Sequence, residues 1–136
     1  MRGRKPNLVQ IVRNDVSGAC PAAPAWLTKH ARAEWKRTAP ELHGRGLLTE
    51  DVLATFEAYC VAAGLIRETE EIMAAEGRLV MGKDGAMPHP AFRMQNTAMR
   101  EARLLAAEMG LTPHRRGGQP VKKEDPNDKW EGDLLA

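Results

Sequence analysis

The sequence contains few aromatic residues and few cysteines. Aromatic side chains make up 4% of the 136 residues, whereas hydrophobic residues as a whole make up 43%. Alanine, leucine, valine, isoleucine and methionine must therefore form the core, which favours packed helices because strands prefer β-branched and aromatic residues. Two cysteines are too few for a disulfide framework, and we predict that Cys60 is a buried apolar side chain.

Long apolar runs are also missing. No stretch approaches the roughly 20 apolar residues that a membrane-spanning helix needs. The basic N-terminus is not followed by the apolar segment of a signal peptide. We therefore expect a cytosolic protein without membrane contact.

Patterns typical of catalytic and metal sites do not occur in the sequence. The four histidines are scattered, without cysteine or carboxylate partners at metal-ligand spacing. The segment from Gly77 to Asp84 approaches a phosphate-binding loop, but Asp84 stands where that motif needs Ser or Thr to bind magnesium. We interpret this segment as a helix end followed by a turn. We expect no catalytic activity, no metal and no cofactor.

The charges are unevenly distributed, although the net charge is only +2. The first residues are basic, and Arg67 is the only basic residue between Glu50 and Glu76. A second basic block begins at Arg115, and acidic residues follow it. Basic ends around an acidic middle predict that a polyanion binds near the ends of the chain.

Residues 1–24 contain prolines and glycines and have no helical period, so we predict a flexible basic arm. An extended Arg-Gly-Arg next to proline is suited to the narrow minor groove of A·T-rich DNA. The alternative is a solvated basic tail without sequence preference. The residues of the arm that we predict to bind DNA are Arg2, Arg4 and Lys5.

A first helix is predicted to begin at Thr28, whose hydroxyl can cap it, and to run to about Thr38. Pro40 should end or kink it. One face is predicted to be buried and contains Leu27, Ala31, Trp35 and Thr38. The flank beside it is basic and is predicted to contact DNA phosphates through Lys29, Arg32 and Lys36. The alternative is an ordinary solvated face.

A second helix is predicted from Thr49 to Glu76, with Gly77 as its stop. Its apolar surface is wider than the single stripe that a surface helix needs, so part of it should be covered by a neighbouring copy of the chain. The residues that we predict to form this oligomerisation surface are Ala54, Ala58, Val61, Leu65 and Ile72.

Residues 78–90 predict a short β-hairpin with its turn at Asp84-Gly85. A third helix is predicted from about Pro90 to Met109, with Gly110 as its stop. It should pack antiparallel on the second helix. The predicted seam consists of Ala91, Met94, Ala98, Ala102, Leu105 and Met109. Residues 25–116 should thus form the helical core and oligomerisation domain.

Residues 117–136 predict a flexible C-terminal tail. It ends in apolar side chains among acidic residues, which is typical of segments that fold onto a partner. The alternative is a tail that folds back onto its own core. The residues predicted to bind the partner are Trp130, Leu134 and Leu135.

The order of short motifs resembles the small terminase subunits of tailed double-stranded DNA phages, in the family of short all-helical subunits. The resemblance covers roughly residues 3–116. The motifs that carry it are Gly3 to Pro6, Pro24 to Leu27, Ala31 with Trp35, Pro40 with Leu42, Gly46 to Asp51, Tyr59, Gly82 with Gly85, Pro88-His89-Pro90, and Met109 to Pro113.

This resemblance implies an all-α subunit that assembles into an oligomeric ring. It implies that the ring binds viral double-stranded DNA in the cytoplasm of the infected bacterial host. The ring would present the DNA to the large terminase subunit, which holds the ATPase and nuclease that the small subunit regulates. A helical transcription regulator that binds DNA as a dimer is the alternative. A small phage nuclease is a third possibility.

Overall fold

Residues 18–113 are described by the computed structural model, and within this range the chain forms three helices and one two-stranded antiparallel sheet. The mostly helical architecture with a small hairpin that the sequence predicts is therefore confirmed. In chain order the elements are α1 (Lys29–Gly44), α2 (Glu50–Glu76), β1 (Leu79–Gly82), β2 (Gly85–Pro88) and α3 (Pro90–Glu108).

Helix α1 begins after Thr28, whose hydroxyl accepts a hydrogen bond of 3.5 Å from the Ala31 N–H, as predicted. The predicted end near Thr38 is wrong, because the helix continues through Pro40 to Gly44. A proline inside a helix costs about 3 kcal/mol. Ala39 and Leu42 are each only 1% exposed. Burying a leucine contributes about 1.5–3 kcal/mol, so their packing offsets the cost of the proline on the exposed side.

Helix α2 has the predicted bounds. Thr49 precedes the helix without forming a side-chain cap, and its hydroxyl donates to the Asp51 carboxylate instead. Asp51 and Glu50 place negative charge in the first turn, where the helix dipole favours it. Gly77 ends the helix with a φ of +94°, a conformation that favours glycine.

The hairpin between α2 and α3 has the register Leu79 to Pro88 and Gly82 to Gly85. Its turn residues are Lys83 and Asp84, so the predicted turn at Asp84-Gly85 is one residue too late. The positive φ of +115° falls on Gly85, directly after the turn.

Hydrogen bonds hold the base of the hairpin closed. The His89 N–H donates to the Arg78 carbonyl over 2.9 Å, and Arg78 also pairs with Glu70. The His89 ring joins the two long helices: Nδ1 accepts from the Ala91 N–H (3.0 Å) and Nε2 lies 2.8 Å from a Glu76 oxygen. The end of α2 is thus fixed to the start of α3.

Helix α3 packs antiparallel to α2, with most of its predicted seam buried. Ala91, Ala98, Ala102 and Met109 are buried and Leu105 is half-buried, but the prediction for Met94 is wrong, because it is 52% exposed. Gln95 takes its place in the seam. Its amide donates to a Glu70 carboxylate oxygen (2.8 Å) and to the Ile66 carbonyl (3.4 Å), so the buried polar group is satisfied.

Helix α2 lies between its two partners, with α1 packed on another side. The ring of Trp35 lies 4.5 Å from that of Phe56, which is fully buried. Near the middle of α2, the backbone of Ala31 in α1 packs directly against Gly64. These contacts place the core mainly between α1 and the first half of α2.

Candidate DNA-binding and assembly surfaces

Two lysines project from the outer side of α1. Lys29 and Lys36 are both exposed, and two helical turns separate them by about 10 Å along the axis. Neither forms an ion pair within residues 18–113. Both ammonium groups are therefore available to an anionic ligand.

Arg32, the third predicted DNA-binding residue of α1, has partners inside the chain. One Nη atom donates to the Ala25 carbonyl (2.8 Å) and to the Leu27 carbonyl (3.2 Å). Its Nε is buried and has no partner. The structure therefore places this side chain against the segment before α1, where it fixes the start of the helix.

The other arginines near α1 are paired with carboxylates. Arg37 and Glu34 approach to 2.5 Å, as do Arg45 and Glu41. These pairs neutralise charge locally, so the positive charge of this helix without a carboxylate partner among residues 18–113 lies on Lys29, Lys36 and Arg32, whose partners are neutral carbonyls.

The chain before α1 runs back along the helix. The Trp35 indole N–H donates to the Pro21 carbonyl (3.0 Å), and the His43 Nε2 lies 2.9 Å from the Gly18 carbonyl oxygen. Residue 18 is therefore next to the C-terminal end of α1. Arg2, Arg4 and Lys5 lie outside the described residues. The tail residues Trp130, Leu134 and Leu135 also lie outside this range.

A carboxylate that the sequence analysis missed lies between α1 and α2. Glu34 accepts hydrogen bonds from the Tyr59 hydroxyl (2.7 Å), from the Thr38 hydroxyl (3.0 Å) and from Arg37. Burial works to raise the pKa of Glu34, but these hydrogen bonds outweigh it and leave that pKa below its usual value. Burial and the bond to Glu34 raise the pKa of Tyr59.

This arrangement around Glu34 has a structural role, since Arg37, Thr38 and Tyr59 all donate to the one carboxylate and join α1 to α2. The spacing of Glu34 to Arg37 and Thr38, at three and four residues, was the available sequence signal. The bond from Tyr59 joins residues 25 positions apart, which no local pattern reveals.

The five predicted oligomerisation residues share one side of α2, which we call the α2 stripe. Ala54, Ala58, Val61 and Ile72 are exposed, and Leu65 is half-buried. Val61 remains 39% exposed and Ile72 42% exposed. Their spacing alternates between four and three residues if Glu68 is included, which is the period of helices that pack along their length.

Neither of the helices that pack on α2 covers the α2 stripe. Helix α1 approaches at Cys60 and Gly64, and α3 approaches at Ile66, whose carbonyl accepts from the Gln95 amide. At 3.6 residues per turn, these positions lie on other sides of the helix. The stripe is therefore an apolar surface without a partner among residues 18–113.

A cavity of about 250 Å³ lies where the end of α1 meets α2 and α3. Its lining is apolar except for Thr55 and Glu108, and consists of Leu42, Leu47, Val52, Thr55, Glu108 and Met109. Among the described residues no group of three His, Cys, Asp or Glu side chains is placed to hold a metal ion. In the same part of the chain, no helix is both long and apolar enough to cross a membrane.

A protein-family model matches the sequence. This model, described as the small subunit of phage terminase, matches residues 31–126, which is more than half of the chain and includes α2, the hairpin and α3. Comparisons with curated proteins and with solved structures find no match. Small terminase subunits are generally non-catalytic. The chain belongs to the phage terminase small-subunit family, which implies a role in DNA packaging.

Proposed function

We propose that this protein assembles into a ring, binds viral double-stranded DNA and presents it to the large terminase subunit, whose ATPase and nuclease it regulates. The observation that carries the assembly is the uncovered α2 stripe. From Ala54 to Ile72 it extends for about 27 Å along the helix. Burying apolar surface yields roughly 25 cal/mol per Å², so a neighbouring copy is the simplest cover for it.

The proposed DNA site combines Lys29 and Lys36 with the arm residues Arg2, Arg4 and Lys5. Residue 18, where the described part of the chain begins, lies beside the C-terminal end of α1. Residues 1–17 can reach at most about 60 Å, whereas α1 is about 24 Å long. Arm and lysines can therefore contact the same duplex. A ring repeats this weakly basic site in every copy, which raises the total affinity through multivalency.

The proposed contact with the large subunit uses Trp130, Leu134 and Leu135. These apolar residues alternate with acidic ones, a composition that suits docking into an apolar groove with a basic rim. A protein lacking residues 117–136 should form rings of the same copy number and keep its DNA affinity, but it should lose binding to the large subunit. Unchanged binding would move this contact into the helical core.

Native mass spectrometry tests the assembly. The wild-type protein should form a ring of many copies, and Leu65→Glu should leave folded monomers because it places a charge in the middle of the α2 stripe. Met81→Glu is the matched control, since Met81 is 81% exposed on the hairpin and lies off this surface. Intact rings of Leu65→Glu, or a monomeric wild-type protein, would contradict the proposal.

Binding measured over a range of salt concentrations tests the DNA site. Removing one bond to a DNA phosphate should reduce the slope of log K against log salt by about 0.9. Deleting residues 1–13, or replacing Lys29 and Lys36 by glutamine, should lower both affinity and slope. Lys83→Gln, on the hairpin turn, should change neither. Cleavage of DNA by the pure protein in magnesium or manganese would refute the non-catalytic role.

A further inference from the structure

The α2 stripe supplies one half of an interface, and a ring requires a different second half. Copies related by a ring rotation join two distinct surfaces, whereas a twofold dimer pairs one surface with itself. We infer that the α2 stripe of one copy docks on the outer side of α3 of the next copy, an inference that rests on the proposed ring. We call this outer side the α3 face and define it by Phe92, Met99, Arg100 and Arg103.

Large apolar side chains of the α3 face are left uncovered by the rest of residues 18–113. Phe92 is 45% exposed and Met99 46% exposed, and they lie two turns apart on the same side. The seam that packs on α2 lies on another side of α3, at Ala98 and Ala102. Neighbouring exposed apolar side chains on a helix mark a protein contact better than a solvated face.

The charges of the two surfaces are complementary. Glu57 and Glu68 lie beside the α2 stripe, both half-buried, and neither forms an ion pair within residues 18–113. Arg100 and Arg103 on the α3 face are exposed and equally unpaired in that range. A copy that docks here brings unpaired carboxylates toward unpaired guanidinium groups.

The two surfaces also match in length. Glu57 and Glu68 are eleven residues apart, and so are Phe92 and Arg103. Each pair therefore spans about 16 Å of helix, and the longer α2 stripe can cover the whole α3 face.

The competing arrangements fit these observations less well. If the α2 stripe paired with itself, Glu57 and Glu68 would face the same carboxylates of the partner, and like charges repel. The outer side of α1 offers Lys29 and Lys36 but no exposed large apolar side chain within the helix. DNA would attract the arginines of the α3 face, but it gives no cover to Phe92 and Met99.

Mixing two blocked variants tests the inference. Leu65→Glu damages only the α2 stripe and Met99→Glu only the α3 face, so each alone should be a folded monomer. An equal mixture should give a dimer with one copy of each variant, because one intact stripe meets one intact face and both ends are blocked. Native mass spectrometry identifies that dimer, and Met81→Glu again controls for the added charge.

Three results would overturn the inference. They are Met99→Glu rings of wild-type mass, a mixture that stays monomeric although circular dichroism shows both variants folded, and a Met99→Glu dimer without the other variant. If the ring tolerates Met99→Glu, the proposed function stands and only the role of the α3 face in the interface is refuted. A monomeric wild-type protein would refute both the proposed ring and the docking of the α2 stripe on the α3 face.

Charge exchange provides a second readout that keeps the apolar contacts. Glu68→Arg and Arg103→Glu should each shift the mass distribution toward monomers, and the double variant should restore assembly at least in part. If Arg100→Gln with Arg103→Gln instead lowers DNA affinity and leaves the mass unchanged, the α3 face is a DNA surface. The inference is then wrong.

Discussion

Replacing Gly64 by alanine should loosen the packing of α1 on α2. A Cβ at this position would lie 2.6 Å from the Ala31 nitrogen and 2.9 Å from the Ala31 Cα. Both are backbone atoms of α1, so no side-chain rotation can relieve the overlap. Helix α1 would have to move as a unit, and its contacts with Phe56 and Tyr59 would be disturbed.

The expected magnitude is the difference of two opposing effects. Alanine favours the helix interior over glycine by about 1 kcal/mol. Forcing an extra methyl group into a packed core costs about 1–3 kcal/mol and occasionally more. Because the close approach is to backbone, we place the cost at the upper end and expect Gly64→Ala to destabilise the fold by about 2 kcal/mol. For a folded unit of about 100 residues this lowers Tm by roughly 8–16 °C.

Thermal unfolding followed by circular dichroism measures the effect, with all variants at one protein concentration because assembly is coupled to folding. Gly44→Ala is the matched control, since a Cβ at the last residue of α1 would have no atom within 4 Å. Its Tm should equal or slightly exceed that of the wild type. If Gly64→Ala melts no lower than Gly44→Ala, the close approach of the two helices does not limit the side chain at this position.

Three further predictions concern buried groups. Tyr59→Phe should lower the free energy of unfolding in urea by about 1–2 kcal/mol, because Glu34 loses a hydrogen bond of 2.7 Å; an unchanged value would contradict this. The pKa of Glu34 is lower in the folded than in the unfolded chain, so its stabilisation is complete above the ordinary value of 4.5 and is lost as pH falls through the folded value. The free energy of unfolding of Glu34→Gln should therefore fall less steeply than that of the wild type as the pH is lowered below 4.5. Identical pH dependences of the two proteins would refute this role of Glu34. Burial raises the pKa of Cys60 to about 12, so at mildly alkaline pH a thiol reagent should label Cys20 in the native protein and Cys60 only after unfolding. Two labels on the native chain would show that Cys60 is accessible.

Helix bounds were predictable wherever local residues determine them. The glycine after α2 and the proline at the start of α3 act through their own backbone, so the sequence predicted both helices closely. The end of α1 was not predictable in this way. The cost of Pro40 is local, but the packing of Leu42 that offsets it depends on residues of another helix.

The composition of the buried seams and the partners of the charged residues were also beyond the sequence. The apolar period of the sequence predicted Met94 in the seam, but Gln95 is buried there instead. Its amide can be buried because it donates to Glu70 and to the Ile66 carbonyl. Arg32 was predicted to contact DNA phosphates, and the sequence did not reveal that one of its Nη atoms donates to the Ala25 and Leu27 carbonyls. Main-chain carbonyls are present at every residue, so the sequence carries no signal for this choice.

The closed base of the hairpin makes its length independent of the helical core. The bond from His89 to the Arg78 carbonyl and the contact between His89 and Glu76 hold α2 and α3 together at the point where the hairpin leaves them. The turn at Lys83 and Asp84 is thus a place where extra residues, such as an epitope or a fluorophore-binding peptide, can be inserted without shifting one helix along the other. Such an insertion would label every copy of the protein at the same point, far along the chain from both termini.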